Sequence, residues 1–161
     1  MEWLDDYELE LEPMDQTHHE FVEIFNRLAS ADAASRLERL DEFIAHTEAH
    51  FGQENRWMEA IDFPGCHRAE HDRVLAVLRE VRSRLAAGDG FFLGRLIEEL
   101  PTWFGHHASG MDAALAFTLK SVGFDFETET VAGSKGACAA SSGAGACACG
   151  PTMSEVQAAE G

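Results

Sequence analysis

The chain has 161 residues, of which 45% are hydrophobic, and its formal net charge is −17. This length and composition fit one globular domain with a sizeable core, while the acidic charge argues against nucleic acid and anionic membrane surfaces as partners, because these bind basic patches. No apolar run approaches the roughly 20 residues of a membrane span, and the first residues lack the basic and apolar regions of an export signal, so we expect a cytoplasmic protein.

The chain is predicted to begin with an extended N-terminal arm over residues 1–14, because Pro13 disfavours an early helix. The first helix is expected to begin near Asp15, with this residue as its N-cap. From there, apolar side chains recur at steps of three and four residues as far as Leu28, which is the spacing of one helical face.

Two further amphipathic helices follow the same spacing. The second is predicted over 37–61 and ends before Pro64-Gly65, and the third is predicted over 67–85 and ends at Gly88-Asp89-Gly90. Both carry their apolar side chains on one stripe. They are therefore expected to pack against neighbouring helices.

A fourth helix is predicted over 91–120, with Pro101 kinking or interrupting it near Leu100. Short links between four long amphipathic segments favour antiparallel neighbours, and the sequence has no competing strand pattern. We therefore predict an all-α fold, an up-down-up-down antiparallel four-helix bundle that occupies residues 1–120.

The composition changes after Lys120. Residues 121–161 hold seven of the 14 glycines within a run rich in Gly, Ala, Ser and Cys, and such a segment buries too little surface to offset its ordering entropy. We predict a mostly disordered tail, in which the stretch Val122–Phe126 could pack back on the bundle. The tail cysteines match no reliable zinc spacing, so redox sensing, metal handling, partner docking and incidental thiols all stay open for Cys138, Cys147 and Cys149.

Side chains that bind metals occur in all four predicted helices, on the apolar faces. In chain order the helices offer a single His, then His-x3-Glu, His-x3-His and His-x4-Asp: His18, His50, Glu54, His67, His71, His107 and Asp112. One such pair is weak evidence, because residues four apart share a helix face in many proteins. Burying five imidazoles and two carboxylates without partners would cost several kcal/mol, and a metal site removes that cost.

The ligand types suit iron, zinc, copper or manganese. Seven ligands are too many for one tetrahedral zinc, but they fit two octahedral ions that share carboxylates and leave one coordination position open. Glu54 and Asp112 are the natural bridges. With a bridging hydroxide, two divalent ions and two carboxylates leave a net charge of about +1, which a mostly apolar pocket tolerates.

Several stretches around these residues carry a family resemblance from residue 3 to about residue 119. They are Trp3…Tyr7, Met14-Asp15-Gln16-Thr17-His18, His50-Phe51-Gly52-Gln53-Glu54…Met58, His67-x3-His71 and Trp103-Phe104-Gly105-His106-His107-x4-Asp112. In these stretches the chain resembles the bacterial hemerythrins, which are four-helix bundles that bind oxygen at a non-haem di-iron centre.

The resemblance implies a division of the ligands between two iron ions. His67, His71 and His107 would hold one iron, and His18 and His50 would hold the other. Glu54, Asp112 and an oxo or hydroxo group would bridge the two ions. The second iron, one ligand short, would be the place where oxygen binds.

Phe51 and Phe104 are the expected walls of the oxygen pocket, and Phe104 stands where the family usually has leucine. Asn55 replaces a usual glutamate and His46 replaces a usual tyrosine, so the hydrogen bonds around the ligands are expected to differ from the family pattern.

Reversible oxygen binding for storage, delivery or scavenging is the function that the resemblance implies, and molecular oxygen is the expected partner of a protein that is not an enzyme. Two alternatives remain at the level of sequence. One is an oxygen or redox sensor that signals through residues 121–161 to an unknown protein partner. The other is turnover of peroxide or nitric oxide at the open iron.

Overall fold

The structure, a computed structural model, describes residues 1–131. A short 3-10 helix, Asp5–Tyr7, precedes the bundle, and a small hairpin follows it. The elements are α1 (Glu12–Ala29), α2 (Arg36–Ala60), α3 (Cys66–Ala86), α4 (Phe91–His106), a π-helical segment (His107–Asp112), α5 (Ala113–Ser121), β1 (Phe124–Asp125) and β2 (Thr130–Val131). Because α4, the π-helical segment and α5 follow one another without a break, they form the fourth helix of the bundle. The predicted all-α four-helix bundle is confirmed.

The helix α1 begins at Glu12, earlier than the predicted start at Asp15. Pro13 lies in its first turn, where the missing N–H has no helical partner to lose. Asp15 is buried and is not the N-cap. Its carboxylate accepts hydrogen bonds from the backbone N–H of Leu9 and of Leu11, both at 2.7 Å. The side chain therefore ties the N-terminal arm to the first turn of α1.

The fourth helix of the bundle contains an irregular turn that the sequence analysis did not predict. The helix α4 continues through Pro101 to His106, so of the two predicted effects of Pro101, a kink or an interruption, the interruption does not occur. A proline removes one backbone hydrogen bond, and the bonds on either side hold the helix together. The irregular turn is instead the π-helical segment His107–Asp112.

The ordered structure continues past the boundary suggested at residue 120. The strands β1 and β2 form an antiparallel pair in which Phe124 lies opposite Val131, although the sequence showed no strand pattern. Phe126 packs edge-on against Trp57, with 5.2 Å between ring centroids. The guanidinium of Arg56 donates to the carboxylate of Glu129 at 3.0 Å. The expected packing of Val122–Phe126 against the bundle is thus observed.

Beyond this hairpin, the predicted disordered tail comprises residues 132–161. These residues lie outside the described part of the chain. The three tail cysteines lie there as well.

Two apolar clusters fill the bundle, one on each side of the layer that contains the candidate ligands. The larger cluster includes Phe21, Phe25, Phe43, Leu78, Leu100 and Phe104. The smaller one includes Leu11, Met14, Trp57, Leu115, Leu119 and Phe124. On α1, α2 and the fourth helix, residues of one cluster precede the ligands by about a turn and residues of the other follow them. On α3 the residues that follow the ligands belong to the larger cluster. The candidate ligands are therefore enclosed by apolar side chains along the bundle axis.

Within residues 1–131, no helix has both the length and the apolar character that a membrane crossing demands.

Candidate metal centre

The π-helical segment brings His107 and Asp112 to the same side of the fourth helix. On a regular α-helix, residues five apart point about 140° away from each other. A π-helical turn, in which the backbone bonds join residues five apart, corrects this mismatch. The Nε2 atom of His107 lies 3.2 Å from Oδ1 of Asp112. The His-x4-Asp spacing therefore demands a π-turn if both side chains are to face the core.

The seven candidate ligands converge in the middle of the bundle. Each of them exposes 3% or less of its surface. They form two groups that share one carboxylate, and within each group the ligand atoms lie within 4.8 Å of one another. The groups are Glu54, His67, His71, His107 and Asp112, and His18, His50 and Glu54.

Three histidines of the larger group present their Nε2 atoms to one point. The Nε2 atoms of His67 and of His71 each lie 3.2 Å from Nε2 of His107. Neighbouring ligands of an octahedral ion, with metal–nitrogen bonds of about 2.1 Å, lie about 3.0 Å apart. The two spacings therefore fit His67 and His71 each as a neighbour of His107 around such an ion.

The carboxylate of Glu54 faces both groups. Its Oε1 atom lies 2.9 Å from Nε2 of His50, and its Oε2 atom lies 3.2 Å from Nε2 of His71. One oxygen is thus directed to each group. This orientation is the one that a bridging carboxylate requires.

The carboxylate of Asp112 divides its oxygens in the same way. Its Oδ1 atom lies 3.0 Å from Nε2 of His67, whereas its Oδ2 atom lies 3.2 Å from Nε2 of His18. The two carboxylates therefore both span the distance between the histidine groups.

Hydrogen bonds fix the ring orientation of two candidate ligands. The Nδ1–H of His18 donates to the backbone carbonyl of Tyr7 at 2.9 Å, and the Nδ1–H of His71 donates to Oδ1 of Asn55 at 3.1 Å. In the neutral form of each ring the other nitrogen, Nε2, carries the lone pair, and this atom faces the centre. Asn55 thus supplies a hydrogen-bond acceptor at the position where it replaces the usual glutamate.

The donor set fits a metal because its acceptor atoms are not satisfied by protein donors. Within residues 1–131, no partner in hydrogen-bonding geometry reaches Oε2 of Glu54, either oxygen of Asp112 or Nε2 of His18. Buried acceptors without partners are costly. A cation between the two groups would meet all of them at once, and imidazole with carboxylate suits iron.

The candidate ligands differ in the direction of their pKa shifts. Burial acts to raise the pKa of Asp112, but its contacts with His107, His18 and His67 hold that pKa well below the ordinary value. Burial lowers the pKa of His71 to about 4, although Glu54 acts in the opposite direction. Burial also acts to lower the pKa of His18, but Asp112 raises it to about 9, so a metal ion bound there would displace a proton. Asp112 and His71 already have the ionised and the neutral form in which these side chains bind metals.

Aromatic rings cover the histidines. Phe51 stacks on His71 with 3.9 Å between ring centroids and 4° between the planes. Phe104 meets His18 edge-on at 5.4 Å and stacks on Phe21 at 4.3 Å. Both predicted wall residues, Phe51 and Phe104, are buried. Phe51 also lies 5.5 Å from His50, so it borders both histidine groups, whereas Phe104 borders the group that contains His18.

One buried residue close to the cluster was not identified from the sequence. Glu70 is 4% exposed, accepts the indole N–H of Trp103 at 2.9 Å and is held by the guanidinium of Arg73. Its position three residues after His67 places it near the inner face of α3. That spacing was the available signal, but charged residues at such positions are usually exposed.

The remaining histidines lie outside both groups. His19 stacks on Trp3 at 3.6 Å, and the Nε2–H of His46 donates to the backbone carbonyl of Thr17 at 3.3 Å. His106, next to His107, is exposed.

Comparisons with known proteins agree with this arrangement. The family model described as "Hemerythrin HHE cation binding domain" matches residues 10–116. No solved structure is a significant match.

Curated relatives cover most of the chain. The bacteriohemerythrin of Ralstonia nicotianae is 48% identical over 120 residues, which are 73% of this chain and 88% of the relative. The bacteriohemerythrin of Stenotrophomonas maltophilia is 30% identical over 125 residues, with coverage of 74% and 81%. That of Pseudomonas aeruginosa is 28% identical over 117 residues, with coverage of 69% and 76%. The family match and these relatives show, together with the helical bundle, that the chain belongs to the hemerythrin family.

Proposed function

We propose that this protein binds molecular oxygen reversibly at a centre of two iron ions, for oxygen storage, delivery or scavenging in the cytoplasm. One iron would be held by His67, His71 and His107, and the other by His18 and His50. Glu54 and Asp112 would bridge the two ions together with an oxo or hydroxo group. When bound, two ferrous ions supply the two electrons that oxygen takes up.

The observation that carries this proposal is the orientation of the two carboxylates. Each directs one oxygen to each histidine group, at 2.9 Å to 3.2 Å from the nearest imidazole nitrogen. A site for a single ion would not need carboxylates whose two oxygens are directed to two different histidine groups. The group with His18 and His50 has one imidazole fewer than the other, which favours that side for an open position.

Carriage rather than turnover is favoured by the absence of a free acid at the centre. Within residues 1–131, the buried carboxylates other than the candidate bridges are Asp15 and Glu70. Both oxygens of Asp15 accept backbone N–H groups, and both oxygens of Glu70 are engaged by Trp103 and Arg73. Neither is placed to deliver a proton to a ligand in the pocket, and the apolar walls Phe51 and Phe104 exclude water.

A sensor function is the second candidate, and the hairpin favours it. Phe126 packs on Trp57, and Glu129 pairs with the neighbouring Arg56. Both contacts lie within one helical turn of Glu54. A movement of the Glu54 carboxylate would therefore displace Arg56 and Trp57, which contact the hairpin that leads into the tail.

The decisive experiment is metal analysis of anaerobically purified protein, followed by the visible spectrum as oxygen is admitted and withdrawn. We expect two irons per chain and a colour change that reverses when oxygen is removed. His50→Ala should abolish the colour change with little loss of helix content, and His106→Ala, next to a candidate ligand but exposed, should leave it intact. One metal per chain or none would refute the proposal.

Two further measurements separate the alternatives. Stopped-flow mixing of the diferrous protein with oxygen should give an oxygenated form that persists for minutes, whereas immediate oxidation with catalytic loss of peroxide would indicate turnover. Deletion of residues 132–161, which leaves the hairpin in place, should preserve cellular function in an oxygen carrier. The same deletion should abolish the output of a sensor.

A further inference from the structure

We propose that Glu70 is a positioning residue for the metal centre, acting through the indole of Trp103 on the imidazole of His107. The inference deepens the proposed function, because it assumes that His107 binds a metal, but it does not depend on oxygen binding. It assigns a purpose to a buried carboxylate that belongs to neither ligand group.

The first step is the fixation of Trp103. Glu70 lies on α3 and Trp103 on α4, so their hydrogen bond of 2.9 Å joins two helices of the bundle. The second carboxylate oxygen is held by Arg73, whose side chain is partly exposed. A buried carboxylate is stable only when its oxygens are paired, and each oxygen here has its own donor. The indole is therefore held at a defined position between the helices.

The second step is the contact between Trp103 and His107. The two residues are four apart on the same helix face, and their rings stack with 4.6 Å between centroids and 23° between planes. The Nδ1 atom of His107 has no hydrogen-bond partner within residues 1–131. His18 and His71, by contrast, each donate from Nδ1 to an oxygen. Ring stacking, and not a hydrogen bond, thus orients His107.

These two steps form one chain of contacts, from Glu70 through Trp103 to His107. Trp103 also packs edge-on against Phe51, at 6.3 Å between centroids, and Phe51 stacks on His71. Two of the three histidines in the larger group are therefore flanked by rings that touch Trp103. Among these packed rings, the hydrogen bond from Trp103 to Glu70 is the polar contact that fixes the position of the indole.

The matched pair of variants Trp103→Phe and Trp57→Phe tests the role of the indole N–H. Both tryptophans lie in the bundle close to a candidate ligand, but Nε1 of Trp57 has no partner within residues 1–131. Each variant keeps an aromatic ring and loses an N–H group. With Fe²⁺ loaded anaerobically and a chelator in excess, Trp103→Phe should release iron about tenfold faster than the wild type. Trp57→Phe should release it at the wild-type rate.

The pair Glu70→Gln and Glu70→Met tests the acceptor. Glutamine keeps an oxygen for the indole N–H, whereas methionine has similar size and no such acceptor. We expect Glu70→Gln to retain iron nearly as well as the wild type and Glu70→Met to resemble Trp103→Phe. Combining Glu70→Met with Trp103→Phe should add no further acceleration, since both changes break the same contact.

A measurement on the metal-free protein separates failure of this inference from failure of the proposed function. Stacking on an indole shifts the carbon-bound ring protons of His107 upfield in the NMR spectrum. This shift should persist in Glu70→Gln and decrease in Glu70→Met. Equal iron release from Trp103→Phe and Trp57→Phe, or an unchanged His107 shift in Glu70→Met, would overturn the positioning role even if the protein binds oxygen reversibly.

Discussion

Among individual residues, Asn55 shows how a substitution in a family pattern can preserve its chemistry. Its Oδ1 atom accepts the Nδ1–H of His71 at 3.1 Å, which is a bond that a glutamate oxygen also accepts. An amide is neutral, so the imidazole of His71 gains orientation without the extra negative charge that a carboxylate would bring. The neutral form of the ring, which is the form that binds metals, agrees with the lowered pKa of His71.

Replacing Asn55 by alanine should weaken metal retention. The imidazole of His71 would lose the acceptor that fixes its orientation, and the loss of such a bond typically reduces metal affinity about 10- to 100-fold. Anaerobic transfer of Fe²⁺ to a chelator measures the effect. Gln53→Ala is the control, because this nearby side chain on α2 is only partly buried. Equal transfer rates for the two variants would contradict the role of Asn55.

Asp15 and Glu70 show the limit of sequence reasoning at this scale. Both are carboxylates on helices where a solvent-exposed position is the usual expectation, yet both are buried. Their partners are backbone N–H groups of the arm in one case and an indole of another helix in the other. These contacts join segments whose relative placement is set only in the folded chain.

At the scale of secondary structure, the fourth helix combines a correct prediction with a missed irregularity. The period of its apolar residues indicated a helix over 91–120, and α4, the π-helical segment and α5 together cover this range. The π-turn was missed, although a ligand spacing of five on an otherwise helical face demands it. The proline, which is the stronger local breaker, left the helix intact.

The hairpin after α5 was not predicted, because its strands are two residues long and carry no alternating pattern. Its stability comes from contacts with the bundle. Phe124 is 7% exposed and belongs to the smaller apolar cluster. Such contacts are invisible to reasoning that weighs only local composition.

Phe124→Ala should therefore destabilise the protein. Removing a buried phenylalanine side chain costs about 3–5 kcal/mol, and the measurement is urea unfolding followed by circular dichroism. Phe117→Ala is the matched control, because Phe117 lies on the neighbouring α5 but is 74% exposed, and its replacement should change the free energy of unfolding by less than about 0.5 kcal/mol. Equal losses in both variants would show that the hairpin does not pack as described.

At the scale of the whole molecule, the charge imbalance is the dominant feature outside the candidate metal centre. The chain carries 29 acidic and 12 basic side chains. Surface ion pairs such as that between Arg27 and Glu42 contribute little individually. The excess of negative charge therefore acts mainly as self-repulsion in the folded state.

Added salt should consequently stabilise the protein. Raising sodium chloride from about 0.01 M to about 0.5 M shortens the screening length to a few ångströms, which weakens repulsion between surface carboxylates more than it weakens the fewer ion pairs. We expect the midpoint of thermal unfolding to rise in the metal-free and in the iron-loaded protein alike. A fall of the midpoint with salt would show that the ion pairs outweigh the repulsion.

The sequence by itself determined the bundle and the candidate ligands, because both depend on a period of 3.6 residues that each helix expresses locally. The apolar stripes predicted the four helices. The histidines and carboxylates on those stripes were therefore predicted to face the core. The family resemblance identified iron as the expected metal and oxygen as the expected ligand.

Only the tertiary structure decided how these side chains meet. It placed Glu54 and Asp112 between the two histidine groups, turned His107 and Asp112 together through a π-turn, and paired Glu70 with Trp103. It also folded residues beyond 120 against Trp57. These features are contacts between elements far apart in the chain or departures from ideal helical geometry, and neither kind is encoded in a local period.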